Sequence, residues 1–121
     1  MLNLDTHIVI HMFAGGLSRA ERSLLAHEPL GISSIVFWEI ARLHERGRIN
    51  AGLDHPGFAK LLDELHVWEI DRAICRAMVE DLDFESDPAD ELIAATSIVH
   101  RVPLVTRDER ILKSKVVPFP A

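Results

Sequence analysis

Short apolar runs alternate with longer segments of helical periodicity along the whole chain. The apolar runs predict strands at residues 2–5, 30–34, 66–70 and 102–106, with a weak fifth at 116–119. The periodic segments predict helices at residues 7–13, 18–28, 34–47, 54 or 55 to 65, 71–82, 87–100 and 109–113. Strands that alternate with helices favour a parallel sheet with helices on both faces. We therefore expect an α/β protein with a single domain over residues 1–121.

Several helix boundaries carry local signals. Ser18 and Glu21 have the spacing of a capping box, in which two side chains satisfy the first free N–H groups of a helix. Gly47 is a typical helix stop, and Asp87 before Pro88 is a typical helix start. Right-handed crossovers between the strands then place the loops that follow them on one edge of the sheet.

Composition restricts the class of function. The 121 residues carry a formal net charge of −6, which argues against a broad cationic surface for nucleic acid. A nuclease stays compatible with this charge because bound cations would offset the acidity locally. The first residues read as a strand and not as a signal peptide, and no apolar run reaches the roughly 18 residues that span a bilayer. We expect a cytoplasmic protein with no membrane partner.

Some conspicuous residues belong to no motif. Cys75 is the single cysteine, so no intrachain disulfide forms, and we interpret it as a small buried hydrophobe. The aromatic side chains are likewise interpreted as core or interface residues and not as platforms for base stacking; they are Phe37, Trp38, Trp68 and Phe84.

Four acidic residues lie far apart at positions where an α/β fold gathers its chemistry. Asp5 and Asp108 follow predicted strands, whereas Glu39 and Asp90 lie on apolar helical patterns. Ligand sites in open parallel sheets form beyond the carboxyl ends of the strands. We expect the four carboxylates to meet at that rim, where their mutual repulsion requires a cation or protons. Oxygen ligands favour Mg²⁺ or Mn²⁺.

Each acid also has a structural interpretation. Asp5 suits an Asx turn or a helix cap, and Asp108 suits the cap of the short helix after it. Glu39 could pair with Arg42 at the surface, but it shares part of an apolar face, where an unpaired carboxylate is costly. Asp90 gains from the dipole of the helix that it begins. The sequence leaves these roles open.

Three further side chains are predicted to support the acids. Thr6 and Thr106 stand next to the first and the last of them, where a hydroxyl group orients a carboxylate or a water molecule. Asp87 lies one helical turn before Asp90, with a helix cap as its alternative role.

The basic residues allow more than one interpretation. Arg42, Arg46 and Arg48 cluster near one helix end, either as a solvated face or as contacts to a phosphate backbone. His7 and His11 are four residues apart on a predicted helix. For these two we favour solvated or partly buried histidines over a metal pair.

Three segments together resemble the PIN-domain family, and most closely its VapC-like ribonuclease toxins. They are LDTH at 4–7, SSIVFWEIARLHERGRI at 33–49 and DPADELIAATSIVHRVPLVTRD at 87–108. The resemblance runs over essentially the whole chain and implies a three-layer α/β/α sandwich with a central, mostly parallel sheet. Many relatives carry DPFDR where this chain has DPADE, so Ala89 and Glu91 depart from the pattern. This departure bears on substrate and partner contacts more than on the chemistry.

The resemblance implies a metal-dependent endoribonuclease that cleaves single-stranded or structured RNA (tRNA, rRNA or mRNA) as the toxin of a toxin–antitoxin pair. The acids in the family's positions are Asp5, Glu39, Asp90 and Asp108, the expected catalytic residues and ligands of Mg²⁺ or Mn²⁺. The expected partner is a cognate antitoxin whose C-terminal segment crosses the active-site groove, in a homodimer or a toxin–antitoxin hetero-oligomer. The alternative is a non-catalytic PIN-like module that only binds proteins.

Overall fold

The computed structural model describes residues 1–121 as a four-stranded sheet with seven helices. The strands are β1 (Leu2–Leu4), β2 (Leu30–Ser33), β3 (His66–Trp68) and β4 (Leu104–Val105). The helices are α1 (Thr6–Ala14), α2 (Arg19–Leu25), α3 (Ile35–Glu45), α4 (Pro56–Asp63), α5 (Arg72–Glu80), α6 (Pro88–His100) and α7 (Glu109–Leu112). All strand pairs are parallel, which confirms the predicted α/β class. None of the helices combines the length and apolar character needed to cross a membrane.

The strand order explains why helices cover both faces of the sheet. The order across the sheet is β3-β2-β1-β4. The chain therefore steps in one direction from β1 to β3 and then returns past β1 to reach β4. Right-handed crossovers place α1 to α4 on one face and α5 and α6 on the other. The three-layer α/β/α sandwich is confirmed.

The two faces of β1 bury different kinds of side chain. Leu2 and Leu4 point to one face and belong to the main hydrophobic core, whereas Asn3 points to the other because side chains alternate along a strand. The Asn3 side-chain amide donates to the carbonyl oxygen of Ile93 at 3.0 Å and to the hydroxyl of Ser97 at 2.9 Å. These hydrogen bonds hold α6 directly against the central strand.

Helix α5 packs on α6 through a small second cluster. Ile74 and Ala77 of α5 and Ala95 of α6 are buried there. Cys75 lies about 100° further around the helix than Ile74 and is exposed. The predicted burial of Cys75 is therefore wrong, because the apolar stripe of α5 runs through its neighbours.

The C-terminal segment 116–119 does not form the predicted fifth strand. Its backbone makes one hydrogen bond with the sheet, from the N–H of Leu104 to the carbonyl oxygen of Pro118 at 2.9 Å, and Val117 is buried in the main core. Pro118 has no N–H to return, and the N–H of Val117 donates to the Ser114 hydroxyl at 3.1 Å. The ladder therefore ends at β4, which is an edge strand.

The local signals for helix ends hold in the structure. Ser18 and Glu21 form both halves of the capping box at the start of α2. Gly47 follows α3 with a φ of 70°, a left-handed conformation that favours glycine. Asp87 accepts a hydrogen bond from the N–H of Asp90 at the start of α6.

The side chain of Trp68 packs closely against Gly31 of β2, and a substitution at Gly31 tests this contact. A Cβ added to Gly31 would lie 2.7 Å from the indole ring of Trp68. We expect Gly31→Ala to lower the free energy of unfolding by about 1–3 kcal/mol through overpacking. Denaturant unfolding of the single variants and the double variant measures this cost. In a Trp68→Leu background the same alanine should cost much less, and an equal cost in both backgrounds would contradict the proposed clash.

Candidate active site

Asp5 comes directly after β1 and is held by residues from two neighbouring elements. The N–H of Thr6 donates to Oδ1 of Asp5 at 2.8 Å, so Asp5 caps helix α1. The hydroxyl of Thr106, just after β4, donates to Oδ2 of Asp5 at 2.6 Å. Because β1 and β4 are adjacent, the chain ends that leave them meet. Asp5 is only 5% exposed, so both of its oxygens are positioned with little freedom to move.

Glu39 reaches the same place from helix α3. Its carboxylate accepts a hydrogen bond from the hydroxyl of Thr6. The surface pair with Arg42 does not form, because Arg42 donates to Glu45 at 3.1 Å instead. Helical side chains lean toward the N-terminus of their helix, and this direction carries Glu39 toward the carboxyl edge of the sheet.

Asp90 enters from the first turn of helix α6. The hydroxyl of Ser86 donates to Oδ2 of Asp90 at 2.8 Å. Asp87 is the N-cap of this helix and accepts from the N–H of Asp90 at 3.1 Å. Glu91, the acid that departs from the family pattern, accepts from the N–H of Ser86 at 3.3 Å. Three hydrogen bonds thus order the turn before α6, and one of them positions the carboxylate of Asp90.

The three carboxylates converge on one point. One oxygen each from Asp5, Glu39 and Asp90 lies within 4.8 Å of the others. Divalent cations hold oxygen ligands at about 2.0–2.6 Å, so two ligands of one ion lie at most about 4–5 Å apart, and the spacing of these oxygens is compatible with a shared cation. An all-oxygen, acidic donor set fits Mg²⁺ or Mn²⁺.

Burial and mutual repulsion disfavour the charged forms of these acids. Burial is the main cause that raises the pKa of Glu39 to about 7, and the charges of Asp5 and Asp90 contribute to the same increase. Burial likewise raises the pKa of Asp90 to about 6. The pKa of Asp5 is also raised by burial, against the opposing hydrogen bonds from Thr106 and Thr6. The metal-free centre therefore retains protons near neutral pH.

A cavity of about 410 Å³ is lined by the three converging acids and also by Asp108. The carboxylate of Asp108 does not belong to the group of three converging oxygens. Its Oδ1 accepts from the N–H groups of Arg110 at 2.9 Å and Ile111 at 3.3 Å, which makes it the N-cap of α7. Its charge still contributes to the raised pKa values of Asp5 and Asp90. Asp108 therefore affects the converging carboxylates through its charge, although its own oxygens lie outside their group.

Arg107 also lines the cavity, although no motif in the sequence points to it. Its guanidinium donates to both oxygens of Glu21 at 2.8 and 2.6 Å and to the carbonyl oxygen of Gly16 at 2.8 Å. The hydrogen bonds from Arg107 lower the pKa of Glu21 to about 2. In the sequence, Arg107 is marked only by its position between Thr106 and Asp108. Its partners Glu21 and Gly16 lie 86 and 91 residues earlier in the chain.

The two histidines of helix α1 line the cavity as well. His7 and His11 are among its eight lining residues. Neither belongs to the group of converging ligand atoms. The interaction with His7 lowers the pKa of Asp5, although less than burial raises it.

Comparison with known proteins identifies the family. The chain matches the PIN domain family over residues 3–116. It is also 32% identical over 114 residues to Ribonuclease VapC22 of Mycobacterium tuberculosis (strain ATCC 25618 / H37Rv), which covers 89% of this chain and 87% of that protein. The chain therefore belongs to the PIN-domain family.

Solved structures share the fold. VapBC2 from Rickettsia felis, crystallised with a DNA fragment from its promoter, gives a TM-score of 0.72 at 18% identity over 99% of this chain and 98% of that chain. A toxin–antitoxin complex from Klebsiella pneumoniae gives 0.69 at 21% identity over 93% and 91%. The three-layer architecture is therefore the one that these proteins adopt.

The raised pKa values predict an unusual dependence of stability on pH. The folded pKa of Glu39 (about 7) and that of Asp90 (about 6) exceed their ordinary values of 4.5 and 3.8. The folded state then binds more protons than the unfolded state, so the free energy of unfolding decreases as pH rises between about 5 and 8. We expect the melting temperature in excess chelator to fall over this window.

Two comparisons make this test specific. Glu39→Gln should flatten the decrease, because the amide has no proton to lose. Excess Mg²⁺ should restore the melting temperature at pH 8, because a ligand that binds only the folded state stabilises it. A melting temperature in chelator that is constant or rises from pH 5 to pH 8 would contradict the raised pKa values.

Proposed function

We propose that this chain is a metal-dependent endoribonuclease of the VapC type, with Mg²⁺ or Mn²⁺ as its cofactor. The observation that supports the proposal is the convergence of three carboxylate oxygens within 4.8 Å, from Asp5, Glu39 and Asp90. Membership of the PIN-domain family and the ribonuclease name of its 32% identical relative support RNA as the substrate.

Each acid has a role in this proposal that follows from its surroundings. Asp5 and Asp90 would hold the cation directly, and Glu39 and Asp108 would complete its shell through water or hold a second ion. When bound, Mg²⁺ or Mn²⁺ would stabilise negative charge on the scissile phosphate and would lower the pKa of the attacking water. We assign the uptake of that water's proton to Glu39, which would be ionised once the cation is bound.

The hydroxyl partners fix the geometry of the ligands. Thr6 and Thr106 orient the carboxylates of Glu39 and Asp5, and Asp87 orders the turn that presents Asp90. Groups of this kind typically change metal affinity or activity by about 10–100-fold when they are removed. We therefore assign these three residues an accessory role.

We further propose that the protein is the toxin of a toxin–antitoxin pair. One structure of the same fold is a toxin–antitoxin complex, and another is VapBC2 bound to promoter DNA. The partner would be a cognate antitoxin, and the assembly a homodimer or a hetero-oligomer with it.

The proposed chemistry predicts the outcome of removing single ligand charges. Asp5→Asn and Asp90→Asn should each reduce RNA cleavage by more than about 100-fold, beyond the loss typical of groups that only orient ligands. Both variants should fold, since asparagine keeps the size of the side chain, and its single oxygen can accept from the N–H of Thr6 at position 5 and from the Ser86 hydroxyl at position 90. The measurement is cleavage of single-stranded and structured RNA with Mg²⁺ or Mn²⁺, with circular dichroism as the check on folding.

Asp63→Asn is the matched control, because Asp63 is an exposed acid on α4. It should cleave RNA like the unaltered protein. Full activity of either ligand variant, or of the unaltered protein in excess chelator, would contradict the mechanism. Absence of both cleavage and metal binding in the unaltered protein would favour the non-catalytic protein-binding module.

A further inference from the structure

A second cavity adjoins the acidic one. It is a groove of about 460 Å³ between α3 and the start of α6, and Glu39 and Asp87 line both cavities. A bound polymer that extends from the acidic cavity on this side therefore enters the groove directly. The volume lies within the range of sites for drug-sized ligands, about 300–1,000 Å³, which is also the scale of a nucleotide. We call this space the α3–α6 groove.

The wall of the α3–α6 groove carries an exposed aromatic side chain. Trp38 is 56% exposed, so of its two interpretations, core or interface residue, the first is wrong and the second stays a prediction. The guanidinium carbon of Arg42 lies 5.7 Å from the centre of its ring. The buried Nε of Arg42 has no hydrogen-bond partner within the chain. The pair thus places an aromatic face beside a guanidinium group that also pairs with Glu45 at 3.1 Å.

The charge of the groove differs from that of the acidic cavity. Arg42 and Arg46 both line it, and Arg46 takes part in no ion pair. In a chain with a net charge of −6, two arginines beside the acidic centre form a local cationic path. Of the three arginines that the sequence assigns either to a solvated face or to phosphate contacts, Arg42 and Arg46 are the two that line the groove.

We infer that the α3–α6 groove binds the nucleotide next to the scissile phosphate, with its unpaired base stacked on Trp38 and its phosphate contacted by Arg42 and Arg46. This inference rests on the proposed ribonuclease function and assigns that site a substrate subsite. Aromatic rings that stack bases, combined with cationic groups that follow the backbone, are the usual means of binding single-stranded RNA. Stacking tolerates any base, so the subsite selects unpaired over paired RNA and does not select a sequence.

A protein segment is the competing occupant of such a groove, because tryptophan and arginine are also frequent in protein interfaces. Continuity with the acidic cavity favours RNA. A polynucleotide whose phosphate lies at Asp5 and Glu39 must place its neighbouring nucleotide in an adjoining space, and this groove is lined by the same Glu39. A protein segment has no such requirement.

Tryptophan fluorescence tests the subsite directly. Trp68 is only 8% exposed, so quenching by added RNA would report on Trp38. In an Asp5→Asn background that keeps the RNA intact, we expect a short single-stranded RNA of mixed sequence to quench the emission. Trp38→Ala should weaken binding of the same RNA, measured by anisotropy, by about 5- to 150-fold. Trp38→Phe should remove the quenching but retain most of the affinity.

Two controls make the loss specific. Val79→Ala removes another exposed hydrophobic side chain, 83% exposed on α5, and should bind RNA unchanged. An RNA strand with one abasic nucleotide beside the cleaved position should bind the protein with Trp38 more weakly than the intact strand does. The Trp38→Ala variant should not distinguish these two strands, because it has no ring for the missing base to stack on.

The outcomes separate this inference from the proposed function. Unchanged RNA binding by Trp38→Ala overturns the subsite while leaving the nuclease in place. Unchanged RNA binding together with a loss of self-association in light scattering would assign the groove to a second copy of the chain. RNA binding that depends on Trp38, without cleavage by the unaltered protein, would support the groove and remove the nuclease.

Discussion

Repulsion among three carboxylates at the carboxyl edge of the sheet is the interaction around which the rest of the structure is arranged. The charge of Asp5 raises the pKa values of Glu39 and Asp90, the charge of Asp90 raises that of Glu39, and each of the three acids is held in place by a hydroxyl group. The strand, the two helices and the core that join them must stabilise this arrangement. A divalent cation or bound protons relieve the repulsion, so the fold and its cofactor are energetically coupled.

The same edge also determines how an acidic protein approaches an acidic substrate. With a net charge of −6, the chain repels RNA over most of its surface. Cationic groups are nevertheless placed around the acidic cavity, with Arg107 held by Glu21 on its rim and Arg42 and Arg46 in the adjoining groove. RNA recognition in this account is local, and it depends on metal-bound charge and unpaired bases more than on a broad surface.

Much of the fold and part of the site could be predicted from the sequence. Periodicity and capping residues such as Ser18 define where helices begin, and strand alternation with helices requires a parallel sheet, which brings strand ends together. Features that depend on distant partners could not be predicted. Arg107 is positioned by Glu21, eighty-six residues away, and Trp38 is left exposed because the groove beside it is open. The fifth strand predicted at residues 116–119 does not form because Pro118 has no N–H for the ladder, although the segment has the apolar pattern of a strand.

The most direct test of the central claim is Mn²⁺ titration calorimetry at pH 6.5 and pH 8.5, in buffers of different ionisation enthalpy. With pKa values of about 7 for Glu39 and about 6 for Asp90, saturable binding should release about one proton per protein at pH 6.5 and almost none at pH 8.5. Glu39→Gln should reduce the release at pH 6.5. Absence of saturable binding, or binding without proton release at pH 6.5, would contradict a cation held by these carboxylates.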